Sequence, residues 1–214
     1  MPNEAFLRLA QEKQDGILSC ARRHFMADGY AGASTNRMVA DMGISKGSLF
    51  YYFDGKEDLY LSVLSRAQRS IAREMRSAIV EWPTDLVERL EVILRAGGEV
   101  LKQHPEDYRL FQHFLDSGQS ELLQRFVAGY VDGQTEVSLA GWFDGVDPSR
   151  FSDEPEVIYE VVQWLLTGIK FEYMKARGGA QRSLAETVDE ITVRMERAMK
   201  LLRRAIFTQE GHTQ

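Results

Sequence analysis

Residues 34–59, STNRMVADMGISKGSLFYYFDGKEDL, read as two short helices joined by a glycine turn and followed by the start of a third. Ser34 can cap the first helix, since its hydroxyl can accept a bond from a free backbone N–H one turn on. Thr35, Asn36 and Arg37 fill the first turn, and Met38, Val39 and Ala40 supply the buried face. Met42-Gly43-Ile44 is the turn. Gly43 suits the positive φ that ends a helix, and Ile44 fills the space between the pair. Ser45 caps the second helix, residues 46–53. Such a pair can lay its second helix in a DNA major groove with its first residues at the base edges.

Gly29-Tyr30, Ser34-Thr35, Val39-Ala40, the run GISKGSLFYYF at 43–53 and Lys56-Glu57-Asp58-Leu59 together resemble the DNA-binding signature of the TetR family of bacterial transcriptional regulators. The likeness covers residues 13–60, and it rests on many positions at fixed spacing rather than on one short motif. Two positions depart from the family pattern. Asn36 stands where an apolar residue is usual, so it faces solvent or DNA, and Phe50 stands where tyrosine is common, so a hydroxyl that could reach a phosphate is lost. The resemblance implies that Thr35, Arg37, Lys46, Gly47, Ser48, Tyr51, Tyr52 and Lys56 contact a double-stranded DNA operator. Arg37 would fork onto guanine or bind a phosphate, and Lys46 and Ser48 would sit at the tip of the recognition helix. Gly47 would let the backbones approach closely. Tyr51 would meet a thymine methyl or a phosphate, and Tyr52 a phosphate. Leu49, Phe50 and Phe53 are assigned to the core, and Ser34 and Ser45 to caps.

Composition narrows the class. The 214 residues contain no run of about 18 apolar residues, so no membrane span is expected. The first residues, MPNEAFLRLAQEKQ, lack the basic-then-apolar plan of a secretion signal. Cys20, the single cysteine, excludes an internal disulfide and suits a reducing cytoplasm; its place on an apolar helix face reads as a buried structural thiol. The net charge of −6 argues against a general nucleic-acid coat protein. Residues 1–56 hold seven Lys and Arg against six Asp and Glu, so the remaining chain carries −7. A near-neutral head can turn one basic face to DNA while an acidic body is repelled.

The rest of the chain reads as helices joined by loops, about nine helices in all, in an all-α fold, with residues 145–153 the loop after the seventh. Residues 11–28 form the first helix, with Ile17, Leu18, Ala21 and Phe25 inward and Tyr30 plugging the core beyond Gly29. Asp54 and Glu57 have capping-box spacing for a helix from 56 to about 80, and Lys56 at its start offers a phosphate site. Further helices begin at Thr84, Pro105, Gln119, Pro155 and Ser183, the one from Gln119 continuing as far as Trp142 at most. Gly97-Gly98 would weaken or bend the helix that holds it, or admit a neighbour. Ser183 and Glu186 again match a capping box.

The expected organisation is a helix-turn-helix head over residues 1–56 and a ligand-binding and dimerisation body over 57–214. The last two helices carry long apolar stripes, which resemble the family's four-helix dimer interface and would otherwise lie exposed. An inducer pocket, again by resemblance, would be lined by Phe111, Phe114, Phe126, Tyr130, Trp164 and Phe171, with Gln112, His113 and Gln163 as polar handles. His24, His104, His113 and His212 are scattered, and the chain has no phosphate-cradling glycine loop, nucleophile elbow or HExxH. Neither catalytic residues nor a metal or other cofactor are expected. The function implied is a cytoplasmic homodimeric repressor released from its operator by a small hydrophobic or aromatic molecule. The alternative is a DNA-binding regulator or activator controlled by a protein partner, without a small-molecule site.

Overall fold

The computed structural model describes residues 2–116, 120–126, 139–175 and 183–207. Among them the chain is all-α and forms no strand. The α-helices in order are α1 (Glu4–Leu7), α2 (Gln11–Gly32), α3 (Thr35–Met42), α4 (Lys46–Tyr52), α5 (Lys56–Ala78), α6 (Leu86–Gln103), α7 (Pro105–Asp116), α8 (Ser120–Phe126), α9 (Pro155–Lys175) and α10 (Leu184–Ile206). A short 3-10 helix, Leu139–Trp142, precedes α9. The chain divides into two compact units, Met1–Ser70 with Glu106–Val137, and Ile71–Pro105 with Ser138–Gln214.

In the first unit α2 buries Ile17, Leu18, Ala21 and Phe25, the stripe its periodicity implies. The helix is interrupted at Gly29, whose φ of 67° only glycine adopts freely. Tyr30 is half-buried there, stacked at 6.3 Å on Phe25 and 5.1 Å from Tyr60. The aromatic contacts continue from Tyr60 to Phe114 at 6.0 Å and from Phe114 to Phe126 at 5.4 Å, so one chain of rings joins α2, α5, α7 and α8. Such tilted and edge-on pairs add about 0.5–1.5 kcal/mol each beyond their burial. Burial pushes the Tyr60 phenol far above its ordinary range.

The helix α1 has no counterpart in the sequence reading. Asn3 caps it by accepting from Phe6 N at 3.1 Å, and Phe6 is buried against Phe53 at 4.7 Å and Tyr52 at 6.0 Å. Four residues are too few for periodicity to reveal a helix.

In the second unit α6 packs against α10, and α10 against α9. One core gathers Leu86, Val87 and Leu90 of α6, Ile158, Val162 and Leu166 of α9, and Met199 and Ile206 of α10. The start of α6 is fixed at Asp85, not Thr84. Its Oδ1 accepts from Val87 N at 2.9 Å and Glu88 N at 3.0 Å, while both its oxygens hold Arg203 of α10 at 3.1 and 3.2 Å. The Ser183–Glu186 capping box forms as its spacing implies and opens α10. At Gly97-Gly98 the helix α6 runs on unbroken, and Met75 of α5 fills the notch, its Cε 3.0 Å from where a Gly97 side chain would begin.

Asp54 and Glu57 do not form the expected capping box. Asp54 N donates to Asp58 at 3.3 Å, and Glu57 is drawn instead into an ion pair with Arg125.

Candidate nucleic-acid interface

Three local devices build α3 and α4. Ser34 accepts from Arg37 N at 3.5 Å and opens α3. Gly43, with φ 65° and ψ 31°, ends it, and the N–H groups of Gly43 and Ile44 return to Ala40 O and Val39 O at 3.2 and 3.1 Å. Ser45 then accepts from Ser48 N at 2.9 Å and shares a 2.8 Å hydroxyl contact with Ser48. Each cap satisfies backbone groups that a helix end leaves free, worth about 0.5–2 kcal/mol.

The inward strip of α4 is Leu49 and Phe53, both buried. The outward strip is Lys46, Gly47, Phe50 and Tyr51, all exposed, with Tyr51 65% exposed. Phe50, expected in the core, is instead 46% exposed. The physical reason is angular: a helix of seven residues offers one inward strip, Leu49 and Phe53 fill it, and the next position turns about 100° away. Lys46 Nζ lies 5.9 Å from the centroid of the Phe50 ring, so the phenyl supports the lysine from beneath. Ser48 and Tyr52 are half-buried.

On α3, Asn36 and Arg37 are exposed and Thr35 is half-buried. Arg37 leans on Asp28 at 3.2 Å, yet its side chain stays 63% exposed. Lys56, at the start of α5, is turned inward: its Nζ donates to Ala31 O at 3.0 Å and lies 4.9 Å from the Tyr30 ring centroid. Burial lowers its pKa from the ordinary lysine value. The structure therefore brings Lys46, Gly47 and Tyr51 together on one outer strip, with Ser48 at the cap. Arg37 and Thr35 stand on the neighbouring helix, and Lys56 is held against Tyr30.

Asn3 was not legible as part of this region. Its backbone N–H donates to Tyr52 O at 3.1 Å and its side-chain amide donates to Tyr51 O, so it closes the C-terminal end of α4.

Of the residues expected around an inducer, Phe111, Phe114 and Phe126 are buried together in the first unit, Phe111 and Phe126 being 6.4 Å apart. Trp164 is 65% exposed on α9 of the second unit. His113 and Gln163 are exposed. Tyr130 lies outside the described residues, as do the side chains of Gln112 and Phe171.

A capped α3–turn–α4 pair with a basic and aromatic outer strip defines a helix-turn-helix nucleic-acid-binding protein. Residues 17–63 match the sequence profile of the bacterial regulatory proteins of the tetR family. The chain is 31% identical over 186 residues to the HTH-type transcriptional repressor AcnR of Corynebacterium glutamicum, covering 83% of this chain and 90% of that protein. It is 32% identical over 85 residues to the HTH-type transcriptional regulator LmrA of Bacillus subtilis, covering 39% of this chain and 45% of that protein. Among solved structures, a TetR family transcriptional regulator from Chloroflexus aurantiacus superposes with a TM-score of 0.52 at 20% identity, over 98% of this chain and 100% of that one. That likeness shows the fold alone. The chain belongs to the TetR family, and it is a DNA-binding transcriptional regulator.

Proposed function

We propose that the protein is a homodimeric repressor whose two heads read half-sites of a pseudo-palindromic operator in the cytoplasm. The head is residues 1–56, and residues 57–214 are the effector-binding and dimerisation body. The observation that carries the reading is the outward strip of α4. Lys46 and Tyr51 stand exposed on a helix whose other side is anchored by Leu49 and Phe53. That arrangement fits donors aimed at phosphates and base edges from a fixed support. Thr35, Arg37, Gly47, Ser48, Tyr52 and Lys56 complete the proposed contact set.

Dimerisation through α9 and α10 is supported by a second pattern. On α9 the inward residues are Ile158, Val162 and Leu166, while Val157, Val161 and Trp164 are exposed at helical spacing. On α10, Val193 and Leu201 are exposed as well. Apolar stripes of this length on two neighbouring helices suit a second copy of the chain. The proposed effector is a small hydrophobic or aromatic molecule taken up beside Phe111, Phe114 and Phe126 of the first unit. It would release the operator by favouring a form of the dimer that does not fit DNA, which requires tighter binding to that form.

The test is binding of the full-length protein to fragments of its own upstream region across a salt series with competitor DNA. Competitor-resistant binding is expected. Lys46→Ala should reduce affinity and lower the salt slope by about 1, as loss of one phosphate contact does. Tyr51→Ala should reduce affinity with the fold retained. If both variants bind as the parent does, α4 is not the reading helix.

A further inference from the structure

Cys20 and His24 lie one turn apart on α2, so both side chains leave the helix on one face. Asp41, in the last turn of α3, meets them across the helix contact. One ligand atom from each of the three, a sulfur, an imidazole nitrogen and a carboxylate oxygen, lies within 4.8 Å of the others. His24 Nε2 and Asp41 Oδ2 are 2.8 Å apart. Cys20 and His24 are buried and Asp41 is exposed, so the cluster is closed on the protein side and open to water on the other.

We propose that Cys20, His24 and Asp41 form a zinc-binding site that clamps α2 to α3, with water as the fourth ligand. The donor set is one that zinc takes, and a thiolate and a carboxylate together balance its two positive charges around a neutral imidazole. Tetrahedral zinc at ordinary bond lengths sets its donors about 3.3–3.7 Å apart. Within the 4.8 Å limit the sulfur side needs a contraction of at most about an ångström, and the 2.8 Å contact of His24 with Asp41 needs a slight opening. Asp41 is free to make that adjustment because its side chain is 60% exposed. Metal entry would displace the thiol proton to solvent, since zinc takes the thiolate and a neutral imidazole. No oxidation state changes.

The experiment is titration of the metal-stripped full-length protein with Co2+, followed by displacement with Zn2+. A near-ultraviolet thiolate-to-cobalt charge-transfer band, saturating at one equivalent per chain and removed by zinc, is expected. Cys20→Ser should abolish the band. Asp41→Asn, a change at an exposed side chain, should weaken binding by at least about tenfold, as loss of a supporting metal contact does. Calorimetry in buffers of different ionisation heat should report proton release on metal binding. Absence of the band, its survival in Cys20→Ser, or equal affinity in Asp41→Asn would each overturn the assignment. The readout needs no DNA, so its failure is separate from failure of the proposed operator binding.

Discussion

Arg89 of α6 offers the sharpest test of how the second unit is held together. It is only 3% exposed, and the hydrogen-bond partners of its guanidinium are backbone carbonyls. Nε donates to Pro83 O at 2.6 Å, Nη1 to Trp142 O at 3.0 Å and Asp144 O at 3.1 Å, and Nη2 to Trp82 O at 3.4 Å. Its charge also lies 5.1 Å from the Trp82 ring centroid. One side chain thus ties the segment before α6 to the segment after the 3-10 helix. Arg89→Met fills most of the volume but leaves the acceptors without a donor. Asp144 is exposed, so its carbonyl can turn to water, whereas Trp142 is buried and its carbonyl cannot. An orphaned buried acceptor costs about 1–3 kcal/mol, and bonds from a charged donor are worth about 1.5–3 kcal/mol each. Relief of the buried charge offsets part of this. The net expectation is destabilisation of about 2–4 kcal/mol. For a chain of this size that lowers Tm by about 5–15 °C. Thermal unfolding followed by circular dichroism at matched protein concentration measures it; the concentration must match because the proposed dimer would make Tm depend on it. Arg89→Lys should recover only part, since an ammonium cannot span the same acceptors as a planar fork. A Met variant melting within about 2 °C of the parent would refute the account.

Other outcomes follow from single sites. Gly43→Ala places a side chain at φ 65°, with open space around it, so the loss is one of backbone conformation alone, about 1–2 kcal/mol by denaturant unfolding; an unchanged midpoint would contradict it. Trp164→Glu puts a charge in the exposed α9 stripe and should convert dimer to monomer in sedimentation velocity, and a dimer of unchanged affinity would exclude that stripe from the interface. The Asp15 carboxyl is held below its ordinary pKa, first by the Gln11 amide at 2.8 Å and then by Arg66 at 2.5 Å. Its contribution to stability is therefore present above the ordinary aspartate range and is lost as pH falls through the lowered value. A carboxyl NMR titration should find that low midpoint and see it rise in Arg66→Ala; a midpoint at or above the ordinary range reverses the sign.

What could be read in the sequence was what neighbours within a few residues decide. Ser34, Gly43 and Ser45 act on backbone groups at most four positions away, so the helix pair and its turn were legible. The Ser183–Glu186 box was legible for the same reason. Arg89 was not, because two of its acceptors lie 53 and 55 residues away. Phe50 misled because apolarity suggests burial, while the number of inward places on α4 is set by its packing on the rest of the head. The cluster at Cys20 was not read in the sequence, where His24 counted among scattered histidines: Asp41 is 17 residues from His24 and only the α2–α3 contact supplies it. Lys46 and Tyr51 entered through the family resemblance and stand exposed, whereas the placing of Lys56 depends on Ala31, 25 residues earlier.

The clip formed by Asn3 has a practical side. Asn3 bonds to the carbonyls of Tyr51 and Tyr52, and Phe6 wedges behind Tyr52 and Phe53. Anything fused ahead of Pro2 therefore emerges within a few residues of the α4 surface. An affinity tag at that end would crowd the region assigned to DNA, and a polyhistidine tag would add metal ligands to the same small unit as Cys20, His24 and Asp41. Protein for gel-shift or metal titration work is better purified without an amino-terminal tag.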